Sequence, residues 1–159
     1  MVATAIAVLF EGFRAGAGTF RVLLDLPARG RLGALAFAEF SRATDLSTTG
    51  VVFYVVFGVG GALVTGLAWL IAARRQAPAL IRRLLATSAV ASLLVLLLTT
   101  QAAPLMWRIG SAPPAPVLLA DLLDRFTAWT VARVVCVDVS FAAALTALTL
   151  VALPRPQAA

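Results

Sequence analysis

Charged side chains recur at regular spacing within an apolar stretch near the amino terminus. Glu11, Arg14, Gly18, Arg21 and Asp25 are three, four, three and four residues apart, so a helix would carry all five on one face. Turning such charges toward lipid is expensive, and this face is therefore predicted to look into a helix bundle. The opposite face carries apolar side chains suited to lipid or to packing: Leu9, Phe13, Phe20 and Leu24.

A second polar stripe lies near the carboxyl terminus, where Arg125, Trp129 and Arg133 are four residues apart. If the first and last helices are antiparallel, Arg14 and Asp138 both fall near mid-membrane. We therefore predict a structural ion pair between Arg14 and Asp138. These patterns do not identify a catalytic residue, and the candidates are Glu11, Arg133 and Asp138.

Polar and aromatic side chains at similar depth indicate a ligand site in the outer half of the bundle, beside Gly16 and Gly18. The predicted ligand-binding residues are Tyr54, Gln101, Trp107, Arg108, Trp129 and Arg133. Arg133 has no acidic residue at its own depth, so we expect it to meet a lipid phosphate, a carboxylate of another chain or a bound phenolate. Alternatively, these groups form a structural polar network, with the tryptophans as a membrane-interface belt.

The composition favours a membrane protein and excludes several kinds of chemistry. Of the 159 residues, 62% are hydrophobic and 13% are charged, and the net charge of +6 comes from arginine alone. The absence of histidine and lysine excludes histidine-bound metals, histidine-ligated haem and Schiff-base catalysis, and the single Cys136 excludes an intrachain disulfide. We expect no metal and no cofactor, and we expect membrane lipids rather than nucleic acid as partners.

Four apolar runs are long enough to cross a bilayer, at about 2–26, 49–73, 84–107 and 126–153, with prolines 154 and 156 ending the last. The predicted fold is all-α, an integral membrane four-helix antiparallel bundle formed by one domain, 1–159. Leu32, Leu35, Ala36 and Phe40 share one face of a predicted interfacial helix at about 31–42. Ser47 or Thr48 would cap the next span.

Arginine placement predicts the orientation. The stretch 74–83 carries four arginines in ten residues, which is typical of a cytoplasmic loop. Both termini would then be cytoplasmic, in a protein of the bacterial cytoplasmic membrane.

The last third of the chain resembles the anthrone-oxygenase-like group of small four-helix membrane proteins, most of unknown function. Pro104, Leu105 and Arg108 match a Pro-Leu-Asn…Arg motif, in which Met106 replaces the usual asparagine. A second motif, at the start of the last helix, matches at four positions: Arg125, Phe126, Trp129 and Arg133. The resemblance implies oxidation of a polycyclic phenolic substrate by dioxygen without metal or flavin.

Two functions are left open by these patterns. The chain is either a membrane protein that handles a hydrophobic or phenolic small molecule, including as a cofactor-independent oxygenase, or a non-catalytic accessory subunit. As a subunit it would dock through the uncharged span 49–73, with its small residues Gly58, Ala62 and Gly66, in a homo-oligomer or a larger membrane complex. A proton or ion pathway is less favoured, because the acidic residues do not form a relay across all depths.

Overall fold

The computed structural model describes residues 1–153, and these form an all-helical structure, as predicted. The helices are α1 (Val2–Phe20), α2 (Leu26–Thr44), α3 (Thr48–Arg74), α4 (Ala79–Ser111) and α5 (Pro116–Ala152), with a π-helical turn, Arg21–Asp25, joining α1 to α2. The prolines predicted to end the last helix lie outside the described residues.

Local sequence explains where the long helices begin and end. Ser47 caps α3 by accepting a hydrogen bond from the backbone N–H of Gly50 at 3.0 Å. The chain turns after α3 at Gln76, which adopts a positive φ, and it breaks again in the proline-rich stretch 112–115. Pro116 then opens α5 in the first turn, where its missing N–H is tolerated. As a result α4 and α5 are longer than the spans predicted within them.

The first predicted span ends at about residue 26, but the backbone stays helical beyond that point and through Pro27. Pro27 lies in the first turn of α2, directly after the π-helical turn, at a position where a helix does not need a backbone N–H donor. The interruption occurs instead at Gly33, whose φ of 79° kinks α2.

Four long helices, α1, α3, α4 and α5, pack side by side, each against two of the others. Apolar side chains from all four meet near residues 75–78, which we call the turn end: Ala7, Ala68, Ala72, Ile81, Leu85 and Ala147. The opposite end, which we call the α2 end, is a cluster of larger side chains from α2, α4 and α5, including Phe37, Ile109 and Phe126. Consecutive long helices therefore run in opposite directions.

Helix α2 folds over the ends of α4 and α5 and is held there by side-chain contacts. Arg42 donates to the carbonyl oxygens of Ile109 at 3.0 Å and Ala112 at 3.1 Å, and so satisfies the last turn of α4. Arg29 pairs with Asp124 of α5 at 2.7 Å. The apolar residues expected on one face of the predicted interfacial helix are all exposed: Leu32, Leu35, Ala36 and Phe40.

Among the described residues, α3, α4 and α5 are long and apolar enough to cross a membrane. Helix α1 is not in this group, since Glu11 and Arg14 lower its hydropathy. Those two charges are nevertheless buried, as the stripe predicts, and the surface that α1 presents is apolar. The four residues predicted for the apolar face are all exposed, three on α1 and one on the π-helical turn that follows it: Leu9, Phe13, Phe20 and Leu24.

Candidate functional site

A cavity of about 380 Å³ lies between α1, α3, α4 and α5 toward the α2 end. Its wall is mostly apolar, formed by valines, phenylalanines and leucine. Seven side chains contribute polar or charged groups: Arg14, Arg21, Asp45, Tyr54, Thr99, Thr130 and Arg133. A mostly apolar cavity with a few converging polar groups has the character of a small-molecule site.

Arg14 is neutralised at the side of the cavity nearer the turn end. Its Nη1 donates to Oε1 of Glu11 at 2.7 Å and to Oγ of Ser92 at 2.7 Å. The Ser92 hydroxyl in turn donates to the same Glu11 oxygen at 3.0 Å. The Glu11 side chain is fully buried. Gly61 of α3 makes room for this cluster, because a Cβ atom there would overlap Nη1 of Arg14 and lie 2.8 Å from Oε1 of Glu11.

The predicted ion pair between Arg14 and Asp138 is therefore wrong. Asp138 is exposed, and its carboxylate contacts the Thr19 hydroxyl at 3.4 Å instead. The prediction matched the two residues by depth along antiparallel helices, but depth does not fix the direction in which a side chain points. On α5 the buried positions next to Asp138 are Val137 and Ser140, which turn Asp138 away from the interior.

A second arginine, Arg21, is neutralised near the α2 end of the cavity. Both of its Nη atoms bond to the carboxylate of Asp45, and Nη1 also donates to the Tyr54 hydroxyl at 2.9 Å. Tyr54 completes the triangle by donating to Oδ1 of Asp45 at 2.9 Å. The Arg21 guanidinium also lies over the Phe126 ring, 5.5 Å from its centroid. The π-helical turn and the loop at 45–47 place Arg21 opposite Asp45.

Arg133 differs from the other two arginines. All three have one buried nitrogen without a hydrogen-bond partner, but within residues 1–153 Arg133 forms no ion pair and no hydrogen bond at all. Its guanidinium carbon lies 5.8 Å from the centroid of the Tyr54 ring, which provides a weak cation–π contact. A desolvated guanidinium with no counter-ion is costly, so this part of the cavity is suited to an anion.

Thr130, one turn before Arg133 on α5, has an unpartnered hydroxyl in the same cavity. Its residue is 3% exposed, and Oγ1 has no hydrogen-bond partner among the described residues. Other threonines of α5 satisfy their hydroxyls on the preceding turn: Thr127, Thr146 and Thr149. Thr130 was not predicted as a site residue, although it precedes Arg133 by three residues and so lies on the same helical face.

The six predicted ligand-binding residues do not all come together. Tyr54, Trp107 and Arg133 line the cavity, whereas Gln101, Arg108 and Trp129 do not. Gln101 is exposed and contacts only the neighbouring Thr100 hydroxyl, and Arg108 and Trp129 are also exposed. That any of these residues binds a ligand stays a prediction.

Of the candidate catalytic groups, Arg133 lines the cavity, Glu11 lies behind Arg14, and Asp138 lies outside. Asp45 is the carboxylate that reaches the cavity wall, and Arg21 holds both of its oxygens. The described residues contain no group of three histidine, cysteine or acidic side chains that could hold a metal ion.

No protein-family model, no curated protein and no solved structure matches this chain. The resemblance to anthrone-oxygenase-like proteins therefore stays a prediction from the motifs around Arg108 and Arg133.

Proposed function

We propose that this chain is a four-span integral membrane protein that binds an apolar small molecule carrying one negative charge. The observation that carries the proposal is Arg133, a guanidinium without a counter-ion in a largely apolar cavity. The adjacent unpartnered hydroxyl of Thr130 would add a hydrogen bond to the same anion. Both groups gain their missing partner when a ligand is present.

The charge balance of the cavity supports a single negative charge. Arg14 is neutralised by Glu11 and Arg21 by Asp45, which leaves Arg133 as the excess cation among the arginines that line the wall. A carboxylate or a phosphate diester carries one negative charge and offers two oxygens to a guanidinium, whereas a phenolate offers one.

Insertion of α1 as a fourth span is supported by how its charges are satisfied. Glu11 and Arg14 bond to each other and to Ser92, so α1 presents a mostly apolar surface like that of α3. A water-soluble protein would rarely expose so many large apolar side chains. The exposed apolar face of α2 would then rest in the membrane interface.

The turn end carries four exposed arginines: Arg74, Arg75, Arg82 and Arg83. We therefore place the turn end and both termini on the cytoplasmic side of the bacterial cytoplasmic membrane. In a Cys136→Ala background, a cysteine introduced at the exposed Gln76 should resist an impermeant thiol reagent in intact cells and react after lysis. Reaction in intact cells would reverse the orientation.

Ligand binding is favoured over the oxygenase reaction that the resemblance implies. A phenol oxidation without metal or flavin needs a base to remove the phenolic proton, and the chain offers carboxylates for this role because it contains no histidine or lysine. Glu11 is held by Arg14 and Ser92, Asp45 by Arg21 and Tyr54, and Asp138 lies outside the cavity. Arg133 could still stabilise a substrate that arrives as an anion.

Mass spectrometry of small molecules that co-purify with the protein tests the proposal. An organic extract of the wild-type protein in mild nonionic detergent should contain an apolar anion that Arg133→Gln lacks. Arg125→Gln is the matched control, because Arg125 is an exposed arginine on the same helix that does not line the cavity. Equal extracts from wild type and Arg133→Gln would contradict the proposal.

An accessory-subunit role predicts a different result for the same samples. A carboxylate from another chain would then neutralise Arg133, and Arg133→Gln would release a protein partner or dissociate an oligomer. Cross-linking before extraction distinguishes this outcome, which would replace the ligand proposal.

A further inference from the structure

The wall of the cavity is not equally closed on all sides. Five of its lining residues are also exposed on the surface of the protein, and four of these belong to α3 and α4: Ala17, Val51, Val55, Val59 and Trp107. On α5, by contrast, each lining residue is buried or half-buried. The cavity therefore opens sideways between α3 and α4.

Apart from the exposed Ala17 of α1, identified contacts close the other sides. Between α1 and α3, the rings of Phe10, Phe13, Phe53 and Phe57 stack at centroid distances of 4.8–5.8 Å. Toward the α2 end, the hydrogen bonds between Arg21, Asp45 and Tyr54 close the cavity. Between α4 and α5, the apolar cluster under α2 fills the space.

Toward the turn end, α3 and α4 approach each other and close the opening. A Cβ atom built on Gly58 would lie 3.6 Å from Leu96, so the two helices are in contact there. Val51 and Val55 precede Gly58 by seven and three residues, on the α3 face that borders the opening. Trp107 of α4 lies across from them and is 67% exposed. The rim is thus apolar, in a part of α3 that carries no charge.

We propose that the occupant is a single-chain amphiphile with a monoanionic head, taken from the bilayer. Its head would bind Arg133 and Thr130, and its apolar chain would leave through the opening between α3 and α4. This inference rests on the proposed function, because it assigns the shape of the ligand and its route to the same site. A lateral opening with apolar rim residues suits a molecule that is already dissolved in lipid.

Two probe anions separate the inference from the proposed function. Hexadecanoate has the proposed head and chain, whereas 1-naphthoate has the same carboxylate on a compact ring system. Native mass spectrometry of the protein in nonionic detergent reports how many molecules of each bind. Wild type should bind one hexadecanoate, and Arg133→Gln should weaken that binding at least about tenfold, as expected for loss of a charged hydrogen bond.

Narrowing the opening tests the route. Val55→Trp places a large ring on the rim and should weaken hexadecanoate binding about tenfold while leaving 1-naphthoate binding unchanged. Val56→Trp is the matched control, because Val56 is equally exposed on α3 but does not line the cavity. It should leave both anions unaffected.

Failure of this inference and failure of the proposed function would give different results. Two results would contradict the single-chain ligand and its route while leaving the proposed function intact. In the first, 1-naphthoate binds through Arg133 but hexadecanoate does not. In the second, Val55→Trp and Val56→Trp have the same effect. If a two-chain phosphatidylglycerol displaces hexadecanoate at equal concentration, the single-chain assignment is wrong. If neither anion depends on Arg133, both proposals fail.

Discussion

Arg14 on α1 and Arg133 on α5 line the same cavity, and the surroundings of their guanidinium groups differ. Arg14 bonds to a fully buried carboxylate and to a serine hydroxyl, each at 2.7 Å. Arg133 has the Tyr54 ring beside it and no carboxylate or hydroxyl within bonding distance among residues 1–153. The first arrangement joins α1 to α4, whereas the second leaves a charge free for a molecule that is not part of the chain.

Breaking the Arg14 cluster should have the largest effect. Glu11→Leu leaves a buried, unpaired guanidinium and should lower the free energy of unfolding by about 3–5 kcal/mol. The double variant Glu11→Leu, Arg14→Leu removes both charges and should recover most of that loss. Thermal unfolding in one detergent measures all three proteins. A double variant less stable than Glu11→Leu would show that the pair itself stabilises the bundle.

Filling the space that Gly61 leaves for the cluster should have an intermediate effect. In Gly61→Ala the new methyl group meets Arg14 and Glu11, and the strain should cost about 1–3 kcal/mol. Gly66→Ala on the same helix is the matched control, because a Cβ atom there meets nothing within 4 Å. The control should be neutral or gain up to about 1 kcal/mol from helix propensity. Equal melting temperatures for the two variants would show that Gly61 is not needed for the cluster.

The polar contact between α4 and α5 should contribute less to the stability of the protein than the Arg14 cluster or Gly61. The Ser140 hydroxyl donates to the Ser88 carbonyl at 2.9 Å and lies 3.0 Å from the Ser88 hydroxyl. Ser140→Ala should lower stability by roughly 0.6 kcal/mol, the average for hydrogen bonds between membrane helices. Thr146→Ala removes a hydroxyl that bonds only within α5 and should change less. A larger loss for Thr146→Ala would contradict this ranking.

Helical periodicity was sufficient to predict the stripe on α1 and the burial of Glu11 and Arg14. Matching depths along antiparallel helices placed Arg133 near Tyr54. The same matching failed for Asp138, which follows Arg133 by five residues and is rotated from it by about 140° around α5. Matching depths without this rotation produced the wrong partner for Arg14.

The pairing of Arg21 with Asp45 could not be predicted from periodicity. Asp45 follows α2, and its position depends on how α2 kinks at Gly33 and folds back over α4 and α5. The π-helical turn that contains Arg21 also changes the direction of side chains that a regular helix would predict. Both features depend on tertiary packing, which no local pattern in the sequence reports.

Thermal unfolding of Arg133→Gln, with and without 1-naphthoate, tests most directly whether Arg133 serves a ligand rather than the fold. Without the anion, the variant should melt at or above the temperature of the wild type, because a half-buried charge without an ion pair has been removed. With the anion, the wild type should melt at a higher temperature and the variant should not shift, since a ligand stabilises only the protein that binds it. An equal upward shift in both proteins, or a loss of stability in the variant like that of Glu11→Leu, would contradict the account.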